Sequence, residues 1–277
     1  MWREPRRNEA ITVCGVEKTV MVNWKGRAVL LTGASSGIGE GLAIELAKKG
    51  AALGLAARRR ELLEELKNRC EEAGGRAIAL PCDVTDAAAV EDRVGEMLRE
   101  FGRIDVAIAN AGIGGNNAET RAYDPAAVKK LIDINLLGAV HMIHAVLPTM
   151  KERGSGHLVA ISSLAGFRGL PKSAAYAASK AAMTVFFESV RLDTARHGID
   201  VTIIQPGFIK TPLTSGRKAK MPYLMELEDA IPHFMRAIEK KKRFAAFPWQ
   251  LATFVRSGKF MPGWLYDRIA GGARYRE

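Results

Sequence analysis

The 277-residue chain predicts an α/β fold, a single doubly wound parallel sheet with helices on both faces. Three observations carry that expectation. Short apolar segments alternate with segments of helical periodicity from about residue 27 onward. A glycine-rich turn, Gly33-Ala34-Ser35-Ser36-Gly37-Ile38-Gly39, separates the first strand from the first helix. The length suits one large domain with ample core. In such a sheet, ligands bind beyond the carboxyl ends of the strands.

The first buried strand is Arg27–Thr32, followed across the turn by a helix over Glu40–Lys49. Ala51–Ala57 gives strand two and Arg59–Ala73 a helix; Arg76–Leu80 gives strand three. Thr85-Asp86 caps a helix to about Phe101. Strand four is Ile104–Ala109, and Asp124-Pro125 opens a long helix to about Arg153. Strand five is His157–Ile161, a second long helix covers about Ala174–His197, strand six is Asp200–Ile204, and Phe244–Phe247 is the last strand. Residues 1–22 read as a loosely ordered extension, 23–248 as the sheet domain and 249–277 as a basic, aromatic tail packing on a pocket or a partner.

Strand, glycine turn and helix together form the setting in which a pyrophosphate rests on a helix N-terminus. Glycines are required because a side chain would block the phosphate or the close helix–strand contact. The spacing here is G-x-x-x-G-x-G rather than G-x-G-x-x-G. Gly33-Ala-Ser35-Ser-Gly37 also spells the G-x-S-x-G elbow of hydrolases. That chemistry needs an acid and a histidine downstream, and none of the five histidines stands in a recognisable loop motif. No Walker A spacing occurs.

The chemistry-bearing pair is Tyr176 and Lys180, four residues apart and so on one helix face. A neighbouring ammonium favours the phenolate and lowers the tyrosine's pKa, which suits it to exchange a proton with a carbonyl or alcohol oxygen. Ser162-Ser163 lies upstream, and strand alternation points the two serines in opposite directions. Asn135 falls inside a predicted helix, where asparagine is a poor former, so it also reads as a helix-bending residue.

Thr32-Gly33-Ala-Ser-Ser-Gly37-Ile38-Gly39, Asp83-Val84, Asn110-Ala111-Gly112, Asn135 with Gly138, Ser163, Tyr176 with Lys180, and Pro206-Gly207 stand in the order and spacing of a known family. Over residues 27–215 the chain resembles the short-chain dehydrogenase/reductase family, whose fold is the Rossmann fold. The resemblance implies a catalytic set of Asn135, Ser163, Tyr176 and Lys180. Ser163 would bond the substrate oxygen, Lys180 the nicotinamide ribose, and Asn135 would anchor a water chain to Lys180. Cofactor contacts are implied for Gly33, Ser35, Ser36, Gly37, Ile38, Gly39, Arg58, Asp83, Val84, Asn110, Ala111, Gly112, Tyr176, Lys180, Pro206, Gly207, Ile209 and Thr211. Asp83 and Val84 would meet the adenine, Asn110–Gly112 its ribose, and Pro206–Thr211 the nicotinamide. Leu164, Phe167, Phe208 and the segment 213–227 would form the substrate pocket.

Strand two ends in Ala56-Ala57-Arg58-Arg59-Arg60, without the acid that would bind a ribose 2′-hydroxyl and select NAD. Arg58 is the expected 2′-phosphate ligand, with Ser36 assisting, so NADP (NADPH) is expected over NAD. Three arginines could instead simply cap a solvated helix, although cations at a helix N-terminus oppose the dipole.

The expected activity is interconversion of a hydrophobic ketone or aldehyde and its alcohol. An epimerase, an enoyl reductase and a non-catalytic nucleotide sensor are the alternatives. Cys14, Cys70 and Cys82 show no metal or CxxC spacing and read as reduced thiols; no metal site is expected. No signal-peptide pattern and no apolar run of spanning length is seen, which points to a cytoplasmic protein. From Glu239 on, the chain contributes +6 of the net +11, with no nucleic-acid motif beside it. Aromatics alternate with Arg256, Lys259 and Arg268 in the tail, a pattern compatible with peripheral membrane contact or with a lid. A homodimer or homotetramer through the two long helices is expected from the resemblance.

Overall fold

A computed structural model describes residues 22–115, 118–215 and 221–272. Its strands are β1 (Ala28–Thr32), β2 (Ala52–Ala57), β3 (Arg76–Pro81), β4 (Val106–Ala109), β5 (Gly156–Ile161), β6 (Ile199–Pro206) and β7 (Phe244–Phe247). They form one parallel sheet in the order β3-β2-β1-β4-β5-β6-β7. The order reverses between β1 and β4, and that switch point opens the crevice in which doubly wound sheets bind ligands.

Between the strands run α1 (Gly37–Lys48), α2 (Arg60–Glu72), α3 (Ala87–Phe101), the short α4 (Ala118–Arg121), α5 (Pro125–Ile132), α6 (Gly138–Arg153) and α7 (Ala174–Thr194). Then come α8 (Leu227–Glu239), α9 (Trp249–Phe260) and α10 (Gly263–Gly272). Alternating strand residues feed two cores. Val29 and Leu31 of β1 pack with Leu42 of α1, Leu66 of α2 and Phe234 of α8. Ala28 and Leu30 pack with Val94 of α3, Met142 of α6 and Phe187 of α7. Asp86 caps α3 by accepting from Ala89 N at 3.1 Å, and Asp124 caps α5 by accepting from Ala127 N at 3.1 Å.

Every expected strand is present. Three local differences have physical causes. Helix α1 begins at Gly37, inside the glycine turn, so the turn's later glycines form the helix's first turn. Helix α8 was not among the expected elements, because Pro232 interrupts its pattern. A proline at the sixth position removes only the bond to the carbonyl of Glu228, since the first four amides lack intrahelical partners anyway. Between α5 and α6 lies a five-residue π segment, Asp133–Leu137, which includes Asn135. The continuous helix Pro125–Arg153 contains a window of mean hydropathy 1.5, long and apolar enough by composition to cross a membrane. Its Met142, Ile143, Val146 and Met150 are buried in the second core, the position of a sheet-covering helix.

The expected extension 1–22 and Cys14 lie outside the described residues, except Val22, which packs against the first core. Cys70 and Cys82 are unpaired, and burial pushes both thiols up to about 11.

Candidate active site

The glycine turn is shaped by contacts that leave no space for side chains. A Cβ on Gly33 would stand 2.7 Å from Ala111 Cα, and one on Gly39 would stand 2.2 Å from Gly33 O. Gly33 and Gly37 also have φ of +66° and +58°, a region that L-residues rarely adopt. Asn110 braces the turn from behind, its Nδ2 donating to Thr32 O at 3.0 Å and Gly33 O at 3.1 Å. Thr32 Oγ1 in turn accepts from Asn110 N at 3.1 Å and Ala111 N at 3.2 Å. The end of β4 is thereby bonded to the end of β1.

Above these ends lies a cavity of about 1020 Å³, near the top of the range for small-molecule and cofactor sites. All the expected catalytic and cofactor-contacting residues line it except Gly39 and Asn135, which stand one layer behind. Gly39 is excluded by its packing on Gly33. Asn135 is completely buried, and both of its amide hydrogens are used within the chain. Its Oδ1 accepts from Ile113 N at 2.8 Å, and its Nδ2 donates to Ile113 O at 3.1 Å and Ser179 Oγ at 3.0 Å. The side chain thus fixes the loop after β4 to α7, and the π segment brings it to that position.

At the centre are Ser163, Tyr176 and Lys180. Lys180 is 5 % exposed, and its Nζ donates to Ile161 O at 2.9 Å. Burial lowers its pKa from 10.5 to about 8. Tyr176 stands one turn earlier on α7. Ser162 turns away from Ser163, as alternation requires: its Oγ donates to Lys180 O at 2.9 Å and bonds Thr184 Oγ1 at 2.8 Å. Ser163 Oγ accepts from Ala165 N at 3.1 Å, and its own proton has no acceptor among the described residues. That O–H is available to a ligand oxygen.

At the nucleotide end, Arg58 follows β2 and lines the cavity, as expected. The sequence reading missed Arg59. Its Nη2 donates to Ser35 Oγ at 2.9 Å and Ser36 Oγ at 3.2 Å, so a guanidinium joins both hydroxyls of the glycine turn. The signal was the arginine run itself, whose second member was assigned to the following helix. Asp83 Oδ1 accepts from Thr85 N and Thr85 Oγ1, each at 2.9 Å. Burial alone would raise the Asp83 pKa; the Thr85 bonds and the charges of Arg58 and Lys130 outweigh it, and the carboxyl is lowered. Val84 packs against Gly138, where a Cβ would come within 2.6 Å of Val84 Cγ2. A dinucleotide fits this donor set and this cradle: close-approach glycines, a helix N-terminus, two hydroxyls and two guanidinium groups.

At the other end, Leu164, Phe208, Leu213, Met221 and Pro222 line the cavity. Phe167, expected there, does not. It packs in a small satellite cluster of Leu164, Leu251 and Ala252, under the Arg256 guanidinium. Of the expected segment 213–227, residues 216–220 lie outside the described residues, and Met225 and Leu227 turn into the first core. The wall is completed by the tail, through Leu251, Phe254, Val255 and Gly258 of α9 and Met261, Tyr266 and Ile269 beyond it.

A family profile described as short chain dehydrogenase matches residues 27–222. The chain belongs to the short-chain dehydrogenase family. Members of this family are oxidoreductases that use a nicotinamide cofactor. The chain is 43% identical over 251 residues to an uncharacterized oxidoreductase of Myxococcus xanthus (strain DK1622), covering 90% of this chain and 98% of that one. It is 36% identical over 205 residues to the ketoacyl reductase HetN of a Nostoc species, covering 74% and 71%. A crystal structure of a 3-ketoacyl-ACP reductase from Sinorhizobium meliloti 1021 superposes with a TM-score of 0.74 at 29% identity, over 82% of this chain and 99% of that one.

Proposed function

We propose that the protein is an NADP(H)-dependent reductase of a hydrophobic ketone or aldehyde, or in reverse a dehydrogenase of the corresponding alcohol. One observation carries the reading: a buried Lys180 one turn from Tyr176, with the uncommitted Ser163 O–H, in a cavity whose far wall is apolar. Tyr176 gives its proton to the carbonyl oxygen. Lys180 favours the phenolate left behind. Ser163 donates a hydrogen bond to the same oxygen as negative charge develops on it. Asn135 positions this set through Ile113 and Ser179. When bound, the cofactor supplies or takes up the hydride.

Gly33–Gly39 and the amino end of α1 would hold the pyrophosphate, and Asp83, Val84 and Asn110–Gly112 the adenosine. Pro206, Gly207, Ile209 and Thr211 would hold the nicotinamide. The absence of an acid after β2, with Arg58 and Arg59 in its place, supports NADP over NAD. We take the enzyme to be a cytoplasmic homodimer or homotetramer; the exposed Leu137, Val185 and Leu192 on the two long helices support the assembly.

A panel of ketones, aldehydes and enones, assayed with NADPH and with NADH, tests the reading. Ketone- or aldehyde-dependent oxidation of NADPH is expected. Consumption on enones alone would favour the enoyl reductase, isomerisation without net consumption the epimerase, and no turnover of any class a sensor.

A further inference from the structure

The segment that begins at Ser163 makes a second set of contacts. After the 3₁₀ turn Leu164–Gly166 it reaches Arg168, whose Nη1 donates to Gly258 O and, at 2.9 Å, to Met261 O. These carbonyls stand at the carboxyl end of α9, where Gly258 O also accepts from the cap residue's Met261 N at 3.2 Å, and they lie at the negative end of the helix dipole. The same guanidinium stacks over the Tyr266 ring of α10, 3.8 Å from its centroid. Tyr266 Oη returns a hydrogen bond to Gly169 O. One side chain therefore ties both tail helices to the residues that follow Ser163.

Among the described residues, the Arg256 guanidinium over the Phe167 ring is a second polar contact between tail and body. The tail's apolar contact with the body is the satellite cluster of Leu164, Leu251 and Ala252, separate from both main cores. Trp249, Phe260 and Trp264 are 70 %, 88 % and 70 % exposed. A segment so sparsely packed opens at low cost. Its inner side is the apolar wall of the cavity, formed by Leu251, Phe254, Val255, Met261 and Ile269.

We propose that Arg168 is a specificity-determining positioning residue that latches α9 and α10 over the substrate end of the cavity. A long apolar substrate gains its binding by burying apolar surface against that wall, and so depends on the latch. A small ketone reaches only Ser163 and Tyr176 and does not. The proposal rests on the reductase reading given above.

The test compares acetone with 2-dodecanone, with NADPH, in the full chain. Arg168→Ala should raise KM for 2-dodecanone about tenfold, the loss of one charge-assisted contact. Turnover of acetone and KM for NADPH should move less than about twofold. Arg168→Lys should recover part of the loss, because an ammonium can meet the carbonyls but offers no planar face to Tyr266. Tyr266→Phe, a milder change that spares the ring, should show a smaller loss of the same kind. Arg168→Ala combined with Tyr266→Ala should cost no more than the worse single change, since both break one unit. Equal losses on both ketones, no loss on either, or additive losses would overturn the proposal. Limited trypsin digestion reads the latch without catalysis: Arg168→Ala should speed cleavage at Arg256, Lys259 and Arg268, and an unchanged rate overturns it. If the unmodified protein reduces neither ketone, the reductase reading fails, and the latch is judged on the trypsin rates alone.

Discussion

Lys180 is held at a cost to stability. Its ammonium is buried with a single oxygen acceptor among the described residues, Ile161 O, and burial shifts it towards the neutral amine. Between its folded value of about 8 and its ordinary 10.5, the unfolded chain binds more protons, so stability rises with pH across that window. Below 8 the full penalty is present. Lys180→Met should therefore be more stable than the unmodified protein at pH 7, by roughly 3 kcal/mol at most, with the difference fading towards pH 10.5. Thermal melts across that range check this, and the variant should have lost turnover. Tyr176→Phe keeps the ring and removes the proton, so turnover should fall at least ~10²-fold with NADPH affinity nearly intact. Arg58→Ala and Arg59→Ala should each weaken NADPH roughly tenfold or more, and NADH far less, as measured by fluorescence titration. Equal losses for both cofactors would remove the phosphate assignment. Arg58 was legible in the sequence because its position follows from the end of a strand. Arg59 was not, because its reach back to Ser35 and Ser36 depends on how the helix start faces the glycine turn.

Among elements, the strands and the long helices between them were legible, whereas α8 and the π segment were not. All seven strands announce themselves by short apolar runs, and the caps Asp86 and Asp124 mark their helices. The π segment at Asn135 carried only the hint of a polar residue in an apolar helix; that its amide would clasp Ile113 and Ser179 depends on an inserted residue no periodicity reveals. Strand pairing also sets an acid limit on the fold. His157 on β5 is buried, with Nε2 2.8 Å from Thr202 Oγ1 on β6, and burial lowers its pKa from 6.5 to about 4. Its contribution is present above pH 6.5 and is lost as pH falls through about 4, because the unfolded chain takes up the proton first. The loss is roughly 3 kcal/mol. His157→Gln should flatten the fall of Tm over that interval; an identical pH profile would show that other groups govern acid unfolding.

At the scale of the molecule, the tail was legible as aromatic and basic but not as a wall of the cavity. The basic run Lys240–Arg243 lies at the amino end of β7, and the cavity at its carboxyl end, so among the described residues only Arg256, Lys259 and Arg268 accompany the tail's exposed aromatics. A chain ending at Pro248 should lose activity on lipophilic ketones. Sedimentation with anionic liposomes at low salt separates a lid from a membrane contact: binding that disappears in the shortened chain supports the membrane contact, and no binding by the full chain removes it. The sheet order also governs how copies can meet. Its open borders are β3 and β7. The first carries Arg76, paired with Glu100 at 3.0 Å, and ends in Pro81; the second has only four residues, between a run of cations and Pro248. Short, charged, proline-bounded edges are poor templates for another strand. Copies of this protein are thereby kept from zipping together border to border into fibrils, and the exposed helices are left as the surfaces through which they can meet.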